Sequence, residues 1–322
     1  MKFRTEIKPA PAPFRIDENT RILTAGSCFA RHAGAFLKEH FFPVRVNPFG
    51  TLFHPLSLTR LFERVANKDF FTEDDIFYDN GLWKSFELYT LFNRPEKESF
   101  LENVNTLIEN EKQALHETDL VIVTYGTAQV FVDKHSGQAV ANCHKLPGSH
   151  FERRMLSATE ITEATGRIYR AVKRLNPHVR FIFSVSPVRY LQDGMTANIR
   201  SKGRLIDATV SFCDAHPEDT YYFPAFEIFN DDLRDYRFYA ADLIHPGEQG
   251  IEYTMEIFTE IFFDAKGKQL LRETEKLYKM LAHKPLQQDA ARHRPWQRRM
   301  EETARLLKKK YPALSIPDYL LK

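Results

Sequence analysis

The sequence predicts an α/β protein in which helices cover both faces of a parallel sheet, that is, a three-layer α/β/α sandwich. Asp119–Thr124 and Arg180–Val185 are short and mostly apolar, which is typical of central parallel strands. Amphipathic stretches such as Ser157–Leu175 lie between the strand-like runs. The hydrophobic fraction of 43% and the charged fraction of 27% are those of an ordinary globular chain. They exclude a collagen-like, disordered or disulfide-stapled class.

The predicted elements alternate along the chain as parallel pairing requires. The predicted strands are Arg21–Ala25, Phe42–Val46, Asp119–Thr124, Arg180–Val185 and Thr220–Phe223. The predicted helices are Phe29–Phe42, Leu56–Ala66, Lys97–His116, Ser157–Leu175, Asn198–His216 and Ile251–Phe263, and residues 55–117 as a whole are predicted to be mostly helical. Ligands of such sheets bind beyond the carboxyl ends of the strands. The residues predicted at those ends are Ser27, Asn47–Gly50, Gly126–Thr127 and Ser186–Pro187.

A change in charge divides the chain into a body, residues 1–264, and a C-terminal extension, residues 265–322. The extension has 15 Lys and Arg and 6 Asp and Glu, a net charge of +9, which leaves −7 for the body. Its predicted helices are Gln269–Ala282 and Trp296–Lys310. Such helices can bind nucleic acid or an anionic surface. The favoured interpretation is that an apolar stripe (Leu270, Leu271, Leu277 and Leu281) packs against the body.

Composition limits the partners and the compartment. The formal net charge of the whole chain is only +2, so the overall charge does not favour nucleic-acid binding. Three cysteines without a Cys-x-x-Cys pair indicate neither a disulfide framework nor a zinc site. The N-terminal segment has no signal-peptide core, and no run approaches the ~18 apolar residues of a membrane span. We therefore expect a cytoplasmic protein, without membrane contact, cofactor or metal, whose oligomeric state the sequence leaves open.

Ser27 is the candidate nucleophile. It follows a predicted strand and precedes a predicted helix, so its hydroxyl projects at the rim of the sheet beside helix amides that can stabilise an oxyanion. The alternative is that Ser27 only caps the helix. Cys28 is an alternative nucleophile. Because neighbouring helical residues point about 100° apart, however, a Ser27 that faces the cleft is expected to turn Cys28 towards the core.

Asp242 and His245 are the candidate partners of Ser27. A serine hydroxyl needs a base, and that base needs a group that orients it. The Asp-x-x-His spacing lets Asp242 hold one ring nitrogen of His245 and leaves the other for Ser27. The resulting chain order Ser, Asp, His is a known convergent order.

Several blocks of the sequence resemble the GSCFA family, which belongs to the wider SGNH/GDSL-like hydrolase group. The resemblance covers roughly residues 20–260. The blocks are GSCFA (Gly26–Ala30), NPFGTLFHP (Asn47–Pro55), TYGTAQVF (Thr124–Phe131), ANCHKLP (Ala141–Pro147), SVSPVRYLQDG (Ser184–Gly194) and DLIHPGEQGIEY (Asp242–Tyr253). It implies a flavodoxin-like sandwich of about five parallel strands with an esterase-type triad of Ser27, Asp242 and His245. It also implies an oxyanion hole that includes the amides of Ser27 and Gly50.

The third block departs from the hydrolase pattern. SGNH enzymes carry an oxyanion-binding Asn there, and this chain has Ala128 in its place. The candidates for the missing donor are Thr127, Asn47 and Asn142. Loss of one such donor typically lowers kcat by ~10²–10³.

Asn47, at the end of the predicted second strand, is one candidate for substrate binding, and further polar residues are weighed for the same role. Asn142, His144 and Lys145 either line the cleft or form an exposed polar loop. Arg189, after a strand end, is assigned to an anionic part of the substrate, although it could equally pair with an acidic neighbour. His54, next to Pro55, is expected to cap a helix.

The sequence as a whole predicts a serine esterase that hydrolyses an O-acyl group, most plausibly O-acetyl, on a carbohydrate or another small polar molecule. An O-acyltransferase with the same triad is one alternative. A non-catalytic binding protein on a decayed hydrolase scaffold is another, and the basic extension would then offer nucleic acid as a partner.

Overall fold

The protein was analysed as a computed structural model, which describes residues 4–283 and 290–321. Its strands are β1 (Ile22–Gly26), β2 (Val44–Thr51), β3 (Phe77–Asp79), β4 (Leu82–Lys84), β5 (Leu120–Tyr125), β6 (Gln129–Asp133), β7 (Ala139–Val140), β8 (Phe151–Met155), β9 (Arg180–Val185) and β10 (Thr220–Phe223). Its helices are α1 (Cys28–Glu39), α2 (Pro55–Asn67), α3 (Lys97–Leu115), α4 (Ala158–Leu175), α5 (Gly194–Ala215), α6 (Ala225–Glu227), α7 (Glu248–Phe262), α8 (Ala265–Ala282) and α9 (Ala290–Lys310).

The central sheet has five strands in the order β10-β9-β5-β1-β2, and each neighbouring pair is parallel. Counted along the chain, this is the order 2-1-3-4-5 of flavodoxin-like folds. The predicted fold class is therefore confirmed. The chain reverses its direction of travel across the sheet between β1 and β5, and such a switch point opens a crevice at the carboxyl ends of the two strands.

Two hydrophobic clusters cover the two faces of the sheet. In β5, Val121 and Val123 belong to one cluster, whereas Leu120 and Ile122 belong to the other. This alternation follows from the two-residue period of a strand. It explains why the segment is mostly apolar on both of its faces, since neither face meets water.

The C-terminal extension packs on the body. Leu270, Leu271 and Leu277 are buried in the same cluster as residues of α1 and α7, and Leu281 packs against it half-buried. The packing interpretation of the apolar stripe is thus confirmed. Among the helices of the described ranges, none combines the length and the apolar character needed to cross a membrane.

Two small antiparallel sheets were not predicted. One pairs β3 with β4, within the stretch expected to be mostly helical, and that expectation is wrong there. The other joins β6 to β7 and β8, between β5 and α4. These strands, two to five residues long, have too little alternation to be distinguished from loop sequence.

Candidate active site

Ser27 stands at the carboxyl end of β1, beside the switch point. Gly26 has φ +122°, and a Cβ there would lie 2.2 Å from the carbonyl oxygen of Thr124, so only glycine fits. The Ser27 amide donates to the same oxygen at 2.9 Å, which fixes the exit of the chain from the sheet. The Gly-Ser step of the sequence therefore encodes a turn that holds Ser27 against β5.

The hydroxyl of Ser27 does not cap α1. Ser27 occupies the N-cap position, but its side chain makes no capping hydrogen bond, and the residue is only 2% exposed. A Cβ at Gly126 would lie 3.0 Å from Ser27 Oγ, so glycine leaves room in front of the hydroxyl. The alternative in which Ser27 serves only as a cap therefore lacks its hydrogen bond.

His245 and Asp242 form a pair in the loop before α7. His245 Nδ1 donates to Asp242 Oδ2 at 2.6 Å, which leaves Nε2 as an acceptor. The other carboxylate oxygen, Oδ1, accepts the amides of Ile244 and His245, both at 2.9 Å. The loop is closed by the His245 carbonyl, which accepts the Ala240 amide at 2.8 Å. This loop fixes the ring through one nitrogen only.

The loop also keeps Asp242 ionised. The two amides and the imidazole that bond to its carboxylate lower the pKa of Asp242 to about 2. At any ordinary assay pH the carboxylate is therefore charged and can stabilise an imidazolium.

Ser27 and His245 line one cavity of about 420 Å³, which we call the Ser27 cavity. Its wall also includes Phe53, Asn142 and Arg189. Two of the three predicted triad residues, Ser27 and His245, and two of the predicted substrate-binding residues thus line one space, and Asp242 is bonded to His245. No hydrogen bond joins Ser27 Oγ to the His245 ring within the described part of the chain, and catalytic hydrogen bonds are often long in unliganded enzymes.

The position of Cys28 differs from the expected one. Its side chain lines the Ser27 cavity and is partly exposed, whereas it was expected to face the core. The reason is that Ser27 has extended backbone angles, φ −76° and ψ −176°, so the helical rotation between neighbours does not apply at this step.

Two of the three amides expected in the oxyanion hole are already bonded. The Ser27 amide donates to Thr124 as described, and the Thr127 amide donates to the carbonyl of Phe53 at 3.0 Å. The Thr127 hydroxyl accepts the Gln129 amide at 3.0 Å and lies 3.2 Å from Ser201 Oγ. Thr127 borders the cavity, but its amide is not free to serve an oxyanion.

Gly50 and Asn47 lie beside the site and not in the cavity wall. Gly50 has φ +77°, and a Cβ there would lie 2.6 Å from the Cβ of Tyr89. Asn47 Nδ2 donates to the carbonyl of Gly26 at 3.1 Å and so supports the turn before Ser27. Neither residue lines the Ser27 cavity.

The structure places Asn142 in the cavity wall and His144 outside it. Asn142 lines the cavity, and its Oδ1 accepts the His144 amide at 2.8 Å, so its Nδ2 remains as a donor. His144 is buried outside the cavity, with Nε2 bonded to the carbonyl of Ser85 at 2.7 Å, and burial lowers its pKa. The assignment of His144 to the substrate is therefore corrected.

The structure also shows the surroundings of Ala128 and His54. Ala128, which stands where the SGNH pattern has Asn, is buried in the core cluster and is not part of the cavity wall. His54 caps α2 as expected: Nδ1 accepts the Ser57 amide at 3.1 Å, and Nε2 donates to the Val140 carbonyl at 2.9 Å. Both nitrogens of His54 are thereby occupied.

Sequence reasoning missed Lys202, a lysine of α5 that lies behind the site. It is 1% exposed, and its Nζ donates to the carbonyls of Gly126 and Ser186, each at 2.6 Å. It therefore ties together the chain just beyond the ends of β5 and β9. Burial lowers its pKa to about 7. The sequence signal was a lysine on the apolar side of an amphipathic helix, which alone does not reveal its partners.

The described residues contain no group of three or more His, Cys, Asp or Glu side chains placed to hold a metal ion.

The fold and the site define a class of protein: a flavodoxin-like α/β sandwich with a buried serine and a histidine–aspartate pair at the switch point of its sheet. The chain belongs to the GSCFA family, whose sequence profile matches residues 21–258. The match includes Ser27, Asp242 and His245.

Two solved structures resemble the chain at low sequence identity. One is a carbohydrate esterase family 3 protein from Talaromyces cellulolyticus, with 9% identity and a TM-score of 0.38, covering 79% of this chain and 99% of its own. The other is the acetyl xylan esterase Est2A from the rumen bacterium Butyrivibrio proteoclasticus, with 10% identity and a TM-score of 0.30, covering 76% of this chain and 64% of its own. A comparison with curated proteins found no match.

Proposed function

We propose that this protein is a serine hydrolase that cleaves an O-acyl ester with Ser27 as nucleophile, His245 as base and Asp242 as the group that orients His245. The observation that carries the proposal is that an uncapped serine hydroxyl and an aspartate-held imidazole border the same cavity. Because Nδ1 is held by Asp242, the nitrogen left to accept a proton is Nε2.

The reaction follows the usual two steps of covalent acyl transfer. His245 Nε2 takes the proton of Ser27 as Oγ attacks the acyl carbon. The tetrahedral intermediate then collapses, the bond to the alcohol oxygen breaks, and His245 returns the proton to the leaving alcohol. Water attacks the acyl-serine in the same way, and the carboxylic acid is released. His245 lies half-exposed on a loop, and the proposal requires this loop to bring Nε2 within hydrogen-bond reach of Ser27 Oγ.

The oxyanion donors of this proposal differ from those implied by the family resemblance. The first amides of α1 have no intrahelical acceptor, and the Ser27 side chain does not cap them. The positive end of the helix favours a developing negative charge there. The amide of Cys28 and Nδ2 of Asn142, whose side chains both line the cavity, are the proposed donors.

A fluorophosphonate probe tests the nucleophile. We expect it to label native protein at Ser27, as mapped by mass spectrometry of the tryptic peptides, because the phosphonate forms a stable tetrahedral adduct only with an activated hydroxyl. The Ser27→Ala variant should lose the label and Cys28→Ser should keep it. Labelling that persists at Cys28 in Ser27→Ala refutes the assignment, and an unlabelled native protein favours a binding protein on this scaffold.

Asn142 provides a separate test of the oxyanion site. We expect Asn142→Ala to lower kcat for a short-chain aryl ester by roughly 10–10³-fold with little change in KM, since an oxyanion donor acts in the transition state. Asn142→Asp is the matched control, because it keeps the oxygen that holds His144 but removes the donor. Full activity in the Asp variant would show that Asn142 only shapes its turn.

Hydrolysis and acyl transfer are separated by product analysis. With an acyl donor and an excess of sugar acceptor, the free acid is the product expected to dominate. Transfer faster than hydrolysis would change the proposal to an O-acyltransferase with the same three residues.

A further inference from the structure

Arg189 is an unneutralised cation in the wall of the Ser27 cavity. Its guanidinium has neutral partners: Nη2 donates to the Tyr239 hydroxyl at 2.6 Å, and Nη1 lies 3.5 Å from the Leu243 carbonyl. It makes no ion pair with a carboxylate in the described parts of the chain. Buried Arg64, by contrast, pairs with three carboxylates and belongs to the scaffold.

No carboxylate lines the cavity around this cation in the described parts of the chain, and the charged Asp242 is bonded to His245 outside the lining. The wall is apolar over most of its area and includes the aromatic side chains of Phe53, Tyr89, Phe131 and Tyr190. A positive charge in such low-polarity surroundings attracts an anion more strongly than the same charge in water. The guanidinium has five N–H groups, and its two partners occupy only two of them. A pair of N–H groups, the fork of the guanidinium, therefore remains to bind a carboxylate or a phosphate.

The guanidinium is also held in place. It lies over the rings of Tyr239 and Tyr236, at 4.6 and 5.6 Å from the ring centres. A cation stacked on aromatic rings loses little further freedom when it binds a ligand.

The backbone that carries Arg189 is fixed on both sides. Lys202 holds the Ser186 carbonyl at 2.6 Å, and Asn198 Oδ1 accepts the Tyr190 amide at 2.9 Å. Arg189 is therefore pre-organised beside the space that contains Ser27.

We infer that the substrate of this site is an anionic ester, one that carries a carboxylate or phosphate group which Arg189 binds while Ser27 reaches the acyl carbon. The inference rests on the proposed ester chemistry and narrows its substrate class. The apolar character of the wall further indicates that an apolar or aromatic portion of the substrate links the charge to the ester.

Matched pairs of esters test the inference. One pair is 4-acetoxybenzoic acid and its methyl ester, in which the charge lies on the alcohol side. The other is the mono-4-nitrophenyl ester of terephthalic acid, with its second carboxyl free or methylated, in which the charge lies on the acyl side. We expect kcat/KM for the charged member of at least one pair to be higher by roughly 10–100-fold, the range of a charge-assisted hydrogen-bonded pair.

Variants then assign the preference to Arg189. Arg189→Met should abolish the charged-to-neutral ratio, and Arg189→Lys should retain only part of it, because lysine keeps the charge but not the fork. The matched control is Arg237→Met, which removes an exposed cation of the neighbouring loop that does not line the cavity, and it should keep the ratio. A ratio near one in the native protein, or one that survives in Arg189→Met, overturns the inference.

A binding measurement separates this inference from the ester chemistry. In the Ser27→Ala background, calorimetry with 4-acetoxybenzoate and its methyl ester should show roughly tenfold tighter binding of the anion, lost on addition of Arg189→Met. Selective binding without any Ser27-dependent hydrolysis would reject the proposed function and keep the anion site. Hydrolysis of both members of each pair at similar rates, with equal binding of both, would reject the anion site and keep the proposed function.

Discussion

Replacing His245 with alanine is expected to lower kcat for a short-chain aryl ester by roughly 10⁴–10⁶-fold, the range seen when a serine hydrolase loses its base. His245 is the base of the proposal because Asp242 occupies Nδ1 and leaves Nε2 for the Ser27 proton. The measurement is steady-state kinetics across pH. Since the pKa of Asp242 is lowered to about 2, its protonation does not contribute to the loss of activity on mild acidification.

His32 is the matched control for this variant. It is a half-buried histidine of α1, and burial together with the nearby positive charge of Arg31 lowers its pKa to about 4. It does not line the Ser27 cavity, so His32→Gln should retain most of the activity. If instead His32→Gln is inactive and His245→Ala is active, the assignment of the base is wrong.

Lys202→Met is expected to remove a large pH dependence of stability. The folded protein lowers the pKa of Lys202 to about 7 from 10.5, so between these values the unfolded chain binds a proton that the folded chain does not. Stability then rises with pH through this window. Integrated between pH 7 and 10.5, the native protein gains about 4 kcal/mol of unfolding free energy relative to Lys202→Met.

Urea unfolding of the two proteins at several pH values measures this difference. The comparison of native and variant cancels the tyrosines and cysteines that titrate in both proteins. Lys276→Met, which removes an exposed lysine of α8, controls for the loss of a charge and should follow the native curve. The opposing result is a difference between the free energies of unfolding of native protein and Lys202→Met that is the same at every pH. That result would mean that the amine of Lys202 remains protonated and hydrated.

The central fold could be predicted because burial on both faces leaves an unambiguous pattern. β5 and β9 are continuous apolar runs, and the strand Thr220–Phe223 was predicted with its observed bounds. β3 and β4 were missed because they are three-residue strands whose order depends on a tertiary neighbour. Their segment has no periodic signal of its own.

Some residues of the candidate site could be predicted from the sequence and others could not. Gly26 and Ser27 could be found because a strand, a glycine and a helix follow one another directly in the sequence. The environment of Cys28, His144 and Lys202 could not, because it depends on which carbonyls and cavities the folded chain brings to them. His144, for example, is withdrawn from the cavity by the carbonyl of Ser85, a partner 59 residues away.

Part of the wall of the Ser27 cavity comes from the small sheet of β6, β7 and β8, which contributes Gln129, Phe131 and Val140. This sheet is an insertion between β5 and α4, and it holds neither Ser27 nor His245. The residues proposed to transfer protons and the residues that shape this part of the cavity therefore lie in separate stretches of the chain. Evolution can reshape the insertion to accept new acyl or alcohol groups without changing Ser27 or His245. A graft of residues 129–155 between relatives offers the same freedom to the protein engineer, provided that it keeps Asn142, the proposed oxyanion donor.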